Sequence, residues 1–412
     1  MLDRFVEADQ SYGGPGEARG ARLSRSLSGT NLARAGDYNQ RIVLQLIRLT
    51  PGTTRVEIAR STGLSVPTIS NITNRLAELG LVRVIGRRQG SRGQPALLLE
   101  VAPDGAFAIG LNIDRDHLTL VVLDLAGAVR ARATREIAFA LPSDVLEFVR
   151  EEFEPALIAG EVDSARILGV GIALPDDLGK IEIPHRPAEY DAWIDADMAA
   201  LLRDCLPYPV HCDNDAAAAA LGEAEFGIAF ENPTFVYLLV SAGLGGGLVI
   251  DRNYHRGATG RSGEIGLMPD ASSKKPGAIV QDTVSLSALL DRLSSAGHTI
   301  DAVEQLTALD GKAAAVVDEW LGDAIRSLIQ PLVAVNCVLN PDAVLIGGRL
   351  PVELIERLAQ SLMTRLEALG LPASAPIRPA MMAQDAPAIG AAILPFLDHV
   401  LPSDAILIQA GR

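Results

Sequence analysis

The stretch that decides the N-terminal fold is residues 53–79, which read TTRVEIARSTGLSVPTISNITNRLAEL. Apolar side chains recur at helical spacing on both sides of the segment TGLS at 62–65, which predicts two short helices joined by a turn. Ala59 is small enough for the helices to cross closely, Gly63 tolerates a turn with positive φ, and Ile69 fills the seam behind the second helix. This spacing is typical of a helix-turn-helix.

The second predicted helix has a polar N-terminal face whose side chains suit the phosphates and base edges of a DNA major groove. The alternative is an ordinary helical hairpin with a solvated polar face, but the flanking segments favour a module that binds DNA. The candidate DNA-binding residues on this face are Ser65, Thr68, Ser70, Asn71 and Arg75.

A wing is predicted directly after this helix. Residues 81–85 and 95–101 alternate in the manner of strands, and the loop GRRQGSRGQ at 86–94 joins them. A basic loop that contains glycines suits a minor groove or flanking phosphates, whereas arginines on a merely solvated turn would repel one another. The candidate DNA contacts on this loop are Arg87, Arg88 and Arg92.

The distribution of charge favours DNA binding by the N-terminal quarter alone. Residues 1–100 contain 14 arginines, no lysine and 8 acidic residues, whereas the other 312 residues carry 22 basic and 43 acidic side chains. The net charges are therefore +6 and −21, and the acidic part should repel a polyanion. Residues 1–36, rich in Gly, Ser and Arg, are predicted to form a flexible arm, and residues 37–101 a winged helix-turn-helix domain.

Length and composition limit the remaining classes of protein. A chain of 412 residues exceeds a single core, and 48% hydrophobic residues with few aromatics are typical of an alanine-rich α/β protein. No apolar run is long enough to span a bilayer and no secretory signal is recognisable, so a cytoplasmic protein without a membrane partner is expected. The three cysteines lack the spacing of a metal site and are expected to be reduced thiols.

From residue 102 onward the pattern changes to alternating strands and helices. A β-β-β-α-β-α series over 102–213 is followed by a similar series over 214–386, which predicts two related α/β lobes with a ligand cleft between them. A last helix within about 387–412 is expected to complete the first lobe. Long helices in the second lobe are candidate elements of an oligomer interface.

Five longer segments occur in a recognisable order. They are GRRQGSRGQPALLLEVAPDGAFAIGLNI at 86–113, VHCDNDAAAAALGEAEFG at 210–227, SAGLGGGLVIDRNYHRGATGRSGEIG at 241–266, NPDAVLIGGRLP at 340–351 and AIGAAILP at 388–395. Together they resemble the ROK family (repressors, open reading frames and kinases), in particular its winged-helix transcriptional repressors. The resemblance covers about residues 37–400 and implies a two-lobed, actin-like and sugar-kinase-like domain, built as a duplicated ribonuclease-H-like α/β fold.

The resemblance also implies a sugar site. In the sugar kinases of this family an Asn-Asp pair before an alanine-rich helix binds sugar hydroxyls, and its aspartate is the general base. A Gly-Glu-x-Gly segment adds a glutamate, and a tryptophan often lies near the cleft. Helix capping by the pair and core packing of the tryptophan are the alternative roles. The matching candidate ligand-binding residues here are Asn214, Asp215, Glu264 and Trp193.

Departures from the kinase pattern argue against catalysis. The glycine-rich phosphate loop of the first hairpin is replaced by Asn-Ile-Asp-Arg-Asp at 112–116, whose carboxylates would repel phosphates, and the second phosphate loop reads Ser-Ala-Gly at 241–243. The histidine of the family's zinc site is replaced by Leu267, and residues 271–278 hold none of its cysteines. We therefore expect no enzymatic activity, no cofactor and no metal ion.

The leading hypothesis is a DNA-binding transcriptional regulator, in particular a repressor, whose C-terminal domain binds a sugar or a sugar derivative. Its expected partners are a double-stranded DNA operator, a small-molecule effector and further copies of the chain, as a homodimer or a dimer of dimers. One alternative is a sugar kinase with a DNA-binding appendage. Another is a regulator that a protein partner controls without any small-molecule ligand.

Overall fold

The computed structural model describes residues 32–88, 95–180, 186–227, 232–300 and 302–402. Within these ranges a winged-helix module precedes two five-stranded sheets with helices around and between them, which is the predicted architecture. No helix in these ranges combines the length and the apolar composition that crossing a bilayer requires.

The described residues form α-helices and strands with the following bounds. The helices are α1 (Leu32–Leu49), α2 (Arg55–Thr62), α3 (Val66–Glu78), α4 (Pro142–Ala159), α5 (Met198–Arg203), α6 (Asp215–Phe226), α7 (Gln281–Val284), α8 (Leu286–Ser295), α9 (Gly311–Val338), α10 (Val352–Glu367) and α11 (Ala386–His399). The strands are β1 (Val82–Arg88), β2 (Ala96–Val101), β3 (Phe107–Ile113), β4 (His117–Asp124), β5 (Val129–Glu136), β6 (Ile167–Leu174), β7 (Val210–Asn214), β8 (Phe235–Val240), β9 (Leu244–Ile250), β10 (Asn253–Tyr254), β11 (Ala343–Gly348) and β12 (Ile377–Pro379).

The helix-turn-helix is fixed by local caps at the ends of its two helices. Thr54 caps α2 and forms a reciprocal capping box with Glu57, while Gly63 ends that helix with a φ of 71°. Ser65 caps α3, because its hydroxyl accepts a hydrogen bond from the backbone N–H of Thr68. Side chains from both helices then join α1 in one core, among them Ile58, Ile69 and Leu76.

The predicted boundary between the arm and the DNA-binding domain at residue 37 is wrong, because the first helix crosses it. Helix α1 begins at Leu32 rather than at residue 37, so residues 32–36 belong to the helix and not to the predicted arm. The alanines near Gly36 have high helix propensity, which offsets the roughly 1 kcal/mol that a glycine costs inside a helix. The rest of the predicted arm, residues 1–31, lies outside the described residues.

The predicted position of two wing arginines is also wrong. Arg87 and Arg88 lie in strand β1 rather than on a loop, because the antiparallel ladder continues until Arg88 pairs with Ala96. The sequence suggested a loop from Gly86 onward, but the ladder accommodates this glycine at a register shift between positions 84 and 86. Arg92 lies outside the described residues.

Both α/β lobes contain the same sheet topology. The first sheet has the strand order β5-β4-β3-β6-β7 and the second the order β10-β9-β8-β11-β12. In each sheet three antiparallel strands form a meander, and two parallel strands continue from the first of them. Parallel strands need a crossover connection, so the repeated order follows from the two similar β-β-β-α-β-α series in the sequence.

Helices α6 and α11 pack closely against each other, with α11 on the first sheet and α6 on the second. A Cβ on Gly110 or Gly171 would lie 1.8 Å from the carbonyl oxygen of Ala388 or Ala391, so these glycines allow α11 to touch the sheet backbone. A Cβ on Gly390 would lie 1.7 Å from a carbonyl oxygen of α6. Helix α11, the last that the described residues form, therefore packs on the first sheet, although the whole second lobe separates them in sequence.

Candidate effector cleft and DNA-binding face

A cavity of about 400 Å³ opens at the C-terminal ends of strands β6 and β7. The C-terminal edge of parallel strands is where α/β proteins commonly bind small ligands, because loops with polar residues converge there. We call this space the effector cavity. Its lining includes Asp176, Asp177, Trp193, Asp213 and Asn214.

Asn214 has both of the roles considered for it. Its side-chain oxygen accepts hydrogen bonds from the backbone N–H groups of Ala216 (3.0 Å) and Ala217 (3.1 Å), which makes it the N-cap of α6. The same residue lines the effector cavity. Because the cap uses the oxygen, the amide NH₂ group is the part of this side chain that can donate to a ligand.

Asp215, which matches the base of the family's kinases, is buried at the first position of α6. One of its carboxylate oxygens accepts a 2.8 Å hydrogen bond from the N–H of Ala216. Burial, followed by the negative charge of Asp114, raises the pKa of Asp215 from 3.8 to about 7. The carboxyl group therefore exchanges its proton near neutral pH and can donate as well as accept a hydrogen bond.

Glu264 and Trp193 both have partners of their own. Arg261 donates from Nε to Glu264 at 3.2 Å and from Nη1 to Asp177 at 2.8 Å. The indole N–H of Trp193 donates to the carbonyl oxygen of Ala140 at 2.7 Å, and the residue is 5% exposed. Trp193 is thus mainly a core residue that also lines the effector cavity, and Glu264 is connected to the cavity through Arg261.

Sequence reasoning missed the arginines that reach the cavity rim from the second lobe. Arg256 forms a bidentate ion pair with Asp213, at 3.1 and 2.5 Å, and Arg261 pairs with Asp177. Each pair joins a loop of the second lobe to the first lobe. No local pattern indicates them, because the partners are 43 and 84 residues apart in the sequence.

The turn between β3 and β4, where the resemblance implies a phosphate loop, is occupied by an ion-pair network. Arg349 of the second lobe donates to Asp116 at 2.8 Å and to Glu136 at 2.7 Å, and its side chain is only 8% exposed. Nδ1 of His117 lies 2.7 Å from the other oxygen of Asp116. Against the effect of burial, His117 and Arg349 hold the pKa of Asp116 below its ordinary value. We call Asp116, Glu136 and Arg349 the interlobe bridge.

The segment that corresponds to the family's zinc loop is organised by Asp270. One carboxylate oxygen accepts hydrogen bonds from the N–H and the hydroxyl of Ser272, at 2.9 and 2.7 Å, and the other accepts one from Thr283 at 2.8 Å. The backbone N–H of Asp270 donates to Ala278 at 2.8 Å, which closes the loop. Although burial opposes it, these bonds hold the pKa of Asp270 below its ordinary value. A hydrogen-bonded carboxylate thus orders the loop in which the family's zinc ligands are replaced.

The predicted recognition face lies on the outer side of α3. Asn71 and Arg75 are exposed and four residues apart, so their side chains point from the same side of the helix, with Ser70 half-buried on its flank. The hydroxyls of Ser65 and Thr68 lie 2.8 Å apart and take part in the helix cap. Their role is therefore to fix the end of the helix that would enter a groove.

A further candidate DNA contact, which sequence reasoning missed, is an apolar residue at the start of α3. Val66, the first residue of α3, is 45% exposed. An exposed apolar side chain at this position suits contact with a thymine methyl group in the major groove. The sequence signal for this contact is an apolar residue directly after Ser65, at a position that the hydrophobic core does not use.

Arg88 has an acidic partner, which the sequence did not predict. Its Nη1 donates to Glu57 of α2 at 2.6 Å, and its Nη2 donates to the carbonyl oxygen of Gly52 at 3.4 Å. The hydrogen bonds from Arg88 and from Thr54 lower the pKa of Glu57 to about 2. The pair ties the wing to the helix-turn-helix, while Arg87 beside it is exposed.

Helix α6 connects the effector cavity to the winged-helix module. It has 12 residues, about 18 Å of helix, with Asn214 capping its start and Glu225 and Phe226 in its last turn. Arg48 of α1 donates to the Glu225 carboxylate at 2.5 Å and stacks 4.5 Å from the centre of the Phe226 ring, and Gln45 donates to the same carboxylate at 2.9 Å. The ion pair is buried, with side chains 2% and 14% exposed.

Comparison with known sequences adds independent support. The sequence pattern of the ROK family matches residues 108–396, and a pattern described as winged helix-turn-helix DNA-binding matches residues 37–83. The chain is 29% identical to the protein y4fQ of Sinorhizobium fredii, over 87% of this chain and 90% of that protein. It is 26% identical to the xylose repressor of Bacillus subtilis, over 56% of this chain and 60% of the repressor.

Comparison with solved structures supports the same fold. A ROK family transcriptional regulator, described as a homologue of the Escherichia coli Mlc protein, superposes with a TM-score of 0.65 at 21% sequence identity, over 91% of this chain and 100% of that one. The alignment with the xylose repressor spans less than two thirds of that protein, whereas the family pattern spans well over half of this chain. The protein therefore belongs to the ROK family and has an N-terminal winged helix-turn-helix DNA-binding domain.

Proposed function

We propose that this transcriptional regulator is a repressor whose binding to its operator is controlled by a sugar in the effector cavity. One observation carries the proposal: the helix that begins at the cavity ends in a buried contact with the winged-helix module. Its similarity to a xylose repressor and to a ROK family transcriptional regulator supports the same function. A regulator of chromosomal genes acts in the cytoplasm, and we include that localisation in the proposal.

We expect α3 to bind in the major groove of the operator. Asn71 and Arg75 are exposed on one side of it, and side chains of these types bind base edges and phosphates. Arg87 at the end of the wing strand suits a neighbouring phosphate. A single module of this size binds DNA weakly, so two copies on a pseudo-palindromic site, as a homodimer or dimer of dimers, are part of the proposal.

The lining of the effector cavity suits a sugar. Carboxylates accept hydrogen bonds from hydroxyl groups, and the NH₂ group of Asn214 can donate to a hydroxyl or ring oxygen. The edge of Trp193 offers an apolar surface for the C–H groups of the ring. A bound sugar would compete with Arg256 and Arg261 for Asp213 and Asp177. Because each of these pairs crosses the cleft, their replacement would change how the two lobes are held together.

The proposed mechanism is linkage through α6. A sugar that binds one lobe arrangement better than the other shifts the population towards it, by no more than the difference in its two binding free energies. Any displacement of Asn214 at the start of α6 reaches Glu225 at its end because the helix is rigid. The buried Arg48–Glu225 pair then passes that displacement to α1, and so alters the spacing of paired recognition helices.

We infer that the protein does not catalyse phosphoryl transfer. A carboxyl group with a pKa near 7, as at Asp215, would in fact suit a general base. The phosphate end supports the inference, because Asp114 and Asp116 occupy the turn that corresponds to the phosphate loop of the family's kinases, and the interlobe bridge joins the lobes there. Consumption of ATP with any hexose, lost in Asp215→Asn, would contradict this inference.

The first experiment is a gel shift with the protein's own upstream promoter fragment. Arg75→Ala should weaken binding without changing the fold, and for a phosphate contact the slope of log affinity against log salt should fall by about 0.9. Arg150→Ala, which changes an exposed arginine of the first α/β lobe, is the matched control and should bind like wild type. Equal affinity and equal salt slope for wild type and Arg75→Ala would exclude this contact.

The second experiment tests the sugar and its connection to DNA. Sugars and sugar phosphates are titrated while the fluorescence of Trp193 and Trp320 and the release of the promoter fragment are followed. Glu225→Gln should still bind the active sugar, but the sugar should change its DNA affinity several-fold less than in wild type. If no compound in the panel binds, the alternative of a regulator controlled by a protein partner is favoured instead.

A further inference from the structure

Two histidines and an aspartate meet where the last helix of the chain crosses strand β7. His211 lies on β7, three residues before Asn214, whereas Asp398 and His399 end helix α11. One ring nitrogen from each histidine and one carboxylate oxygen lie within 4.8 Å of one another. The cluster is formed by residues that are 187 positions apart in the sequence, and it is separate from both the effector cavity and the loop around Asp270.

Both imidazole rings in this cluster have a polar atom that is not satisfied. Nε2 of His211 and Nε2 of His399 are buried and make no hydrogen bond to any residue that the structure describes. Nε2 of His399 is 3.6 Å from the carboxylate of Asp398, which is too long for a normal hydrogen bond. A buried polar atom without a partner costs about 1–3 kcal/mol, so two of them next to a carboxylate indicate a common ligand.

We propose that His211, Asp398 and His399 bind a divalent transition-metal ion, most suitably Zn²⁺. Imidazole nitrogen and carboxylate oxygen are ligands that Zn²⁺ prefers, at about 2.0–2.2 Å. Tetrahedral ligands at that distance are roughly 3.3 Å apart, so small side-chain rotations bring the three atoms into place. Three protein ligands leave a fourth position for water, which makes this an exchangeable site rather than a closed structural one.

The ion would strengthen a second connection between the effector cavity and the DNA-binding module. Strand β7 carries His211 and continues to Asn214 at the cavity. At the other side of the cluster, Nη1 of Arg41 in α1 donates to the carbonyl oxygens at the end of α11. These belong to Leu397, Asp398 and Leu401, at 3.0, 2.8 and 3.2 Å. A metal ion that joins β7 to α11 would therefore hold the cavity strand and the attachment of α1 together.

The test uses the full chain after treatment with a chelator, titrated with Zn²⁺ in competition with a chromogenic chelator. One equivalent of Zn²⁺ per chain should bind, and His211→Ala and His399→Ala should each weaken binding at least about tenfold. His255→Ala, which removes an exposed histidine of the second lobe, is the matched control. Cys212→Ser removes the thiol next to His211, and both controls should bind Zn²⁺ like wild type.

Three results would overturn the proposal. They are the absence of stoichiometric Zn²⁺ binding by the wild-type chain, unchanged affinity in both histidine variants, and loss of binding in Cys212→Ser. The Co²⁺ form should show no thiolate charge-transfer band, which identifies the ligands on the wild-type chain even if a variant fails to fold. Because the titration uses neither DNA nor sugar, its outcome is independent of the proposed repressor function.

Discussion

The two ends of the cleft between the lobes are built differently. At one end, polar side chains around Asn214 enclose a cavity of about 400 Å³, and arginines from the second lobe pair with carboxylates at its rim. At the other end, the interlobe bridge fills the space beside the β3–β4 turn, where the side chain of Arg349 is 8% exposed. One end can therefore admit a ligand, and the other is occupied by the protein's own charges.

This difference separates binding from catalysis. Phosphoryl transfer needs a sugar at one end and a triphosphate at the other, held together in line. A triphosphate at the β3–β4 turn would face Asp114 and Asp116 and would have to separate Arg349 from its partners. This difference supports the proposal that the cleft recognises a sugar without phosphorylating it, as an effector domain requires.

The largest expected effect concerns Asp215 at the effector end. Its pKa of about 7 in the folded protein lies above the ordinary 3.8, so the protein loses stability as pH rises between these values and regains it as pH falls. Asp215→Asn should therefore be more stable than wild type at pH 8, by up to about 4 kcal/mol, with less than half of that gain at pH 5. Urea unfolding at the two pH values measures this difference.

Asp204→Asn is the control for that measurement, because it changes an exposed aspartate of the same lobe. Its unfolding free energy should stay close to that of wild type at both pH values. A gain for Asp215→Asn that is the same at pH 8 and pH 5 would show that ionisation of this carboxyl group is not the cause.

The second effect tests the closed end. Arg349→Ala leaves Asp116 without its charged partner and should lower the free energy of unfolding by about 2 kcal/mol. Most of the loss should come from Asp116, since Glu136 is 58% exposed and its pairing contributes little. Arg357→Ala removes an exposed pair, with side chains 52% and 63% exposed, and should cost less than about 1 kcal/mol. Equal losses for the two variants would mean that the bridge does not stabilise the closed end.

The smallest effect separates the two roles of Asn214. Asn214→Ala removes the N-cap of α6 and should cost about 1 kcal/mol in urea unfolding. Asn214→Ser keeps a cap acceptor without adding a charge beside Asp213 and Asp215, and so should unfold like wild type, but it loses the NH₂ donor and should bind the active sugar more weakly. If Asn214→Ser bound the sugar with wild-type affinity, the residue would be a cap and not a ligand contact.

Features that depend on neighbouring residues could be predicted from the sequence. The turn at Gly63 involves groups within a few positions and occurs as expected, whereas Ser65, predicted only as a DNA contact, also caps α3. The resemblance also led to the cap and cavity residue Asn214. Errors arose where a local rule met a longer-range effect: helix α1 runs through Gly36, and Arg88 lies in a strand and pairs with Glu57.

By itself, the sequence determined the winged helix-turn-helix, the duplicated α/β architecture and the loss of the phosphate and zinc motifs, because caps, periodicity and motif residues are properties of short segments. Only the tertiary structure decided which charged and titratable side chains meet when they are far apart in the sequence. It brought Arg349 to Asp116 over 233 positions, Arg48 to Glu225 over 177, and His211 to His399. Such contacts depend on the packing of two sheets and the helices between them, and no spacing along the chain encodes that packing.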